Sequence, residues 1–110
     1  MSKNYMIIIV KAPNQKAYIV KIPKKLKDMS MLVGGTIEMK QHEDVLLIYN
    51  ENQKDSNLKE NKTFDNLNIK GTILIVGNDE IVGDVISLRK KQILKYMKKL
   101  NGSKSKEKEI

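Results

Sequence analysis

The side chains able to do chemistry in this 110-residue chain are few. His42 is its only histidine and lies in the polar stretch Gln41-His42-Glu43-Asp44, where an exposed imidazole is usually inert. Asp79, Glu80 and Asp84 bring three carboxylates into one loop, at a spacing that fits no calcium loop. Without cysteine there is no thiolate nucleophile, cysteine zinc site or disulfide, and a single histidine rules out a multi-histidine metal centre. No nucleophile, base and acid form a legible set. The chain therefore reads as a binding protein, not an enzyme, and no cofactor is expected.

The remaining polar residues suit recognition of an anion. The net charge of +8 divides unevenly: residues 1–27 carry seven lysines and no acid, residues 28–88 five lysines against eleven acids, and residues 89–102 six cations and no acid. Lys91, Lys95 and Lys98 recur at helical spacing, where like charges repel by a few tenths of a kcal/mol per pair and no acid on the same helix compensates. They read either as a solvated face or as a positive surface for phosphate, in a nucleic acid, a nucleotide or an acidic protein. Lysine meets phosphate as a point charge and discriminates bases poorly, and only Arg89 offers a bidentate fork. Lys21, Lys24, Lys25 and Lys27 cluster where a first helix begins, and free N–H groups there also suit an anion. Gly34-Gly35 either places backbone N–H groups against a ligand or caps a helix before a tight turn; its spacing is neither a Walker loop nor a dinucleotide fingerprint.

The elements that must position these residues follow from periodicity. Met6 to Val10 and Ala17 to Ile22 read as a hairpin, and Pro23 suits the start of a helix that Gly34 ends in a left-handed cap. Thr36 to Gln41 and Val45 to Asn50 read as a second hairpin. Glu51 to Asn68 is polar and Asn-rich, and its length points to an ordered excursion. Gly71 to Gly77 is a buried strand, Asn78 to Asp84 a turn, and Leu88 to Leu100 a final helix capped by Ser87 and ended by Gly102. Its apolar stripe is read as Ile86, Ile93, Met97 and Leu100, widened by Leu94 and Tyr96. The fold class is α+β: a small, mainly antiparallel sheet of about five strands, with one short helix after the first hairpin and a longer C-terminal helix. One domain spans residues 1–102, and 103–110 form a lysine-rich tail expected to be disordered. Met6 to Val10 falls far short of the ~20 apolar residues that cross a bilayer, so the expectation is a cytoplasmic protein with no membrane contact.

Val33-Gly34-Gly35 followed by Ile37-Glu38, then Asn50-Glu51, Asn57-Leu58 with Asn61, Gly71-Thr72 before an apolar strand, and Ser87-Leu88 opening a helix occur in one order. Together, over residues 5–97, they resemble a domain of unknown function common in bacteriophages and in mobile elements of Gram-positive bacteria, often near antirestriction-type genes. The resemblance implies a genomic setting, not an activity. The expectation is an accessory protein in a bacterial host that counters defence by binding, as a sponge for an anionic small molecule such as a cyclic nucleotide or an ADP-ribose derivative. Its site would draw on Lys24, Lys25, Gly34, Gly35, Glu38, Asn50, Glu51, Asn57, Asn61, Phe64 and Arg89, in a homo-oligomer with pockets between subunits. The asparagines suit equally the holding of a loop by side-chain to backbone hydrogen bonds. Two alternatives stand beside it: non-specific nucleic-acid binding through Lys91, Lys95 and Lys98, and a protein-interaction module that inhibits a host enzyme.

Overall fold

Apolar side chains alternate to both faces of the central strands, so the sheet must be covered twice. In β4 (Val45–Asn50), Val45, Leu47 and Tyr49 enter one core cluster and Ile48 the other. In β7 (Ile73–Asp79), Ile73 and Ile75 part from Leu74 and Val76 in the same way. The computed structural model describes residues 4–64 and 67–102; the tail expected to be disordered lies outside them.

The sheet runs β2-β1-β7-β4-β3, with β1 at Tyr5–Lys11, β2 at Tyr18–Pro23 and β3 at Ile37–His42. Every pairing is antiparallel. The fold is thus α+β as expected, with two hairpins joined through β7, a strand from late in the chain. α1 (Leu26–Val33) covers one face through Met29 and Val33. α2 (Lys90–Met97) covers the other through Tyr96, Ile93 and Met97, helped by Phe64 and Leu67 of the excursion and by Ile69 just past it. Fully burying one such aliphatic side chain contributes about 1.5–3 kcal/mol, so residues such as Ile8, Leu47 and Ile75 fix the layers.

Several boundaries differ from expectation for local reasons. Pro23 ends β2 and does not open α1, which begins at Leu26 after Lys25. Gly34 does cap α1 in the left-handed region, at φ 81°. Ser87 does not cap α2; its Oγ accepts the Ile7 N–H at 2.8 Å, and Arg89 holds the cap position. α2 stops at Met97 and passes into a π-helical turn, Lys98–Gly102. Ile86 lies on the short strand β8 (Asp84–Ile86), not on the helix, and Leu94 is exposed. Among the described residues of the excursion, β5 (Glu60–Asn61) pairs with β6 (Ile69–Lys70) in a second, two-stranded sheet.

β8 pairs with the end of β7 on the side where β1 would otherwise continue. Ser87 and Leu88 then bond to Ile7, so the chain wedges between β7 and β1. Gly77 permits this crossing: a Cβ there would stand 2.6 Å from Ser87 O and 2.9 Å from Ile86 O.

Candidate functional site

The glycine pair is built around one buried asparagine. Gly34 turns the chain out of α1, and the N–H groups of Gly34 and Gly35 both donate to Ser30 O, at 2.8 and 3.0 Å. Asn50, buried at the end of β4, donates through Nδ2 to Val33 O at 3.3 Å and accepts the Asn52 N–H at 2.8 Å. A Cβ on Gly35 would lie 2.9 Å from Asn50 Nδ2, so the second glycine is the space that Asn50 occupies. The glycine amides are therefore engaged in capping α1, the second of the two roles open to this pair, and are not free to cradle a ligand.

An open depression of about 480 Å³ lies over this junction, lined by Gly34, Gly35, Thr36, Asn50, Glu51, Asn52 and Asp55. It gathers four of the expected site residues: Gly34, Gly35, Asn50 and Glu51. Its charged groups are two carboxylates, so it suits a donor-rich or cationic ligand better than phosphate.

The other expected residues sit elsewhere. Asn61 is buried and gives Nδ2 to Lys11 O and Gly71 O, both at 2.8 Å, while its Oδ1 accepts Thr63 Oγ1. It ties the excursion to the main sheet. Asn57 is exposed, and its N–H donates to Asp55 Oδ1. Gln53, not singled out from sequence, completes the tether with bonds to Asn50 O and to both backbone groups of Lys70. Phe64 is buried in the core and, with Asn61, borders a depression of about 240 Å³; its ring meets His42 at 4.5 Å and Lys99 Nζ lies 5.4 Å above it. His42 is accordingly packed, not exposed as its polar neighbours implied, with Nε2 buried and 3.9 Å from Glu43 Oε2. Lys24 pairs with Asp84 at 2.9 Å, and that pairing holds the Asp84 carboxyl below its usual range. Lys25 is exposed before α1, and Glu38 is exposed on β3 across from Tyr49. Arg89 borders a depression of about 440 Å³ shared with Asp44, Asp79 and Glu80, again acidic.

α2 is clamped to the β3–β4 turn. Glu43 adopts φ 55°, and Tyr96 Oη bonds to Glu43 Oε1 at 3.0 Å and to Asp44 Oδ1 at 2.9 Å. Gln92 Nε2 donates to Asp44 O and Oδ2, and Gln92 Oε1 accepts the Arg89 N–H. Lys95 Nζ reaches Glu43 Oε1 at 3.0 Å, so this lysine is compensated by an acid from another element. Hydrogen bonds from Lys95 and Tyr96 lower the Glu43 carboxyl, and the bond from Gln92 lowers that of Asp44. Burial, and then the two carboxylates, push the Tyr96 phenol far above its ordinary value.

The free cations of α2 and of the π-helical turn that continues it are thereby reduced and localised. Lys90, Lys91 and Lys98 are exposed, and none has an acidic partner among the described residues. No group of three or more metal-ligating side chains occurs among the described residues, and no helix there is long and apolar enough to cross a membrane.

The model of a family described as a domain of unknown function, DUF3846, matches residues 6–101. The chain belongs to that family. No curated protein and no solved structure matches it. Within the DUF3846 domain, Val33-Gly34-Gly35 and Asn50 are accounted for by the α1–β4 junction, and Ser87-Leu88 by the wedge beside Ile7.

Proposed function

We propose that this DUF3846 protein is a non-enzymatic accessory protein of a phage or mobile element that counters host defence by binding an anionic partner through α2. The observation that carries this reading is the exposure of Lys90, Lys91 and Lys98 without acidic partners among the described residues, on a helix whose other side is fixed by Tyr96 and Gln92. A clamped helix presents its charges at set spacing, which favours phosphate contact along a nucleic-acid backbone. Two acids at the β3–β4 turn are occupied: Glu43 and Asp44 hold Tyr96, Lys95 and Gln92. This allocation supports a binding role over acid–base chemistry.

Three phosphate contacts give a salt slope at which affinity for duplex DNA falls about 40-fold between 50 and 200 mM salt. Fluorescence anisotropy with a labelled duplex measures this, and Lys91→Glu with Lys98→Glu should abolish binding without altering the circular dichroism. Calorimetry against cyclic dinucleotides and ADP-ribose derivatives tests the sponge form. Tight, salt-insensitive binding of one of them that survives the lysine changes would replace the nucleic-acid reading.

A further inference from the structure

β2 is an outer strand whose free side is closed at its two ends. Lys24 N–H donates to Asn4 O at 2.7 Å, whereas Ile7 bonds away from β2, to Ser87 Oγ and the Leu88 N–H. Even-numbered residues of β1 therefore face β2 and odd-numbered ones face away. In the register Ile9 to Ile19 and Ile7 to Lys21, the backbone groups of Ile19 and Lys21 must point outward, as must those of Ala17 and Pro23. Ala17 has both groups held by the Asn101 side chain, at 3.2 Å each. Pro23 has no N–H, and its carbonyl accepts the Lys25 N–H. Among the described residues nothing pairs with the outward groups of Ile19 and Lys21, beside a rim in which Tyr18 and Ile19 are 47% and 48% exposed.

We propose that this window is the docking edge for a second copy of the chain, paired antiparallel about Val20. Ile19 then lies opposite the partner's Lys21 and Lys21 opposite the partner's Ile19, and each pair exchanges two hydrogen bonds. Adjacent registers are worse. One sets Lys21 directly against its own counterpart, a like-charge pair. The other brings Lys21 to Ala17, whose groups Asn101 already holds. In the symmetric register Ala17 meets proline, which has no N–H to give, and Asn101 supplies that donor. The opposite edge, β3, is guarded by exposed Glu38, Lys40 and Gln41, while β2 carries one charge in six residues. A six-residue edge is smaller than the ~1,000 Å² of a tight interface, so the association is reversible and follows concentration.

Analytical ultracentrifugation from low to several hundred micromolar protein, with residue-resolved amide exchange, tests the pairing. The expected result is a mass moving from 12.6 kDa toward its double, with slowed exchange at Ile19 and Lys21. Ile19→Lys faces the partner's Lys21, and Lys21→Pro deletes an N–H that the monomer does not use. Each should weaken the dimer about tenfold or more with unchanged circular dichroism. A chain that stays monomeric throughout overturns the proposal. So does a dimer that survives Ile19→Lys but is lost in Met39→Lys on the opposite edge.

Discussion

Tyr96 Oη lies 2.9 Å from Asp44 Oδ1 and 3.0 Å from Glu43 Oε1, so one buried phenol anchors the β3–β4 turn to α2 across 52 residues of sequence. Removing only that oxygen isolates its role. Tyr96→Phe keeps the ring in the core and should cost about 1.5–3 kcal/mol, the range for a hydrogen bond to a charged group. Urea denaturation should show a lower midpoint with an unchanged m-value.

The same clamp sets the pH dependence. Glu43, Asp44 and Asp84 have depressed folded-state values, so their stabilisation is present above the ordinary carboxyl range, near pH 4, and is lost as pH falls through the lowered values. Tyr96 and Lys95 are raised, so their contribution is full below about pH 10 and is lost as pH rises beyond it. Melting temperature should therefore fall on both the acid and alkaline sides of neutrality. Tyr96→Phe should flatten the alkaline limb most.

Gly35 and Asn50 form a coupled pair. Gly35→Ala drives a methyl to 2.9 Å from Asn50 Nδ2 and should cost about 1–3 kcal/mol through overpacking. Asn50→Ala leaves Val33 O without its donor but removes the atom that the methyl strikes. The double variant should lose less than the sum of the single changes, by 0.5 kcal/mol or more, in a double-mutant cycle read by chemical denaturation.

Local pattern made much of this fold legible in the sequence. The β-branched run 6–10, the apolar run 45–49, the glycine cap at 34 and the apolar strand 73–76 all lie in the elements that periodicity indicates. Strand order was not legible, because β7 pairs with β1 across more than sixty residues and nothing local records it. Charge pairing failed for the same reason: Lys95 looks uncompensated along its own helix, yet its acid is Glu43 on another hairpin. The candidate site was legible in part. Gly34, Gly35, Asn50 and Glu51 share a depression, whereas Asn61, Phe64 and Arg89 serve tethering, core packing and a helix start. Side-chain type alone cannot separate an asparagine that reads a ligand from one that reads the backbone.

Asn101 protects the end of β2 by filling both backbone groups of Ala17. Asn101→Ala should speed amide exchange at Ala17 with little change at Ile8 or Val20, whose bonds lie within the sheet. Exchange mass spectrometry resolves the two outcomes.

The placement of β7 also governs when the protein can fold during synthesis. Both hairpins are made early, but the strand that joins them ends at Asp79, and the helix that covers one face follows at Lys90. A nascent chain that has reached only β4 exposes Ile9 and Leu47 on the face that α2 later covers, with no β7 between the two hairpins. Such long-range closure is slow, and the waiting edges are open to aggregation. Ribosome-bound chains ending before Ile73 should therefore be sensitive to protease, and those that have released Gly102 resistant.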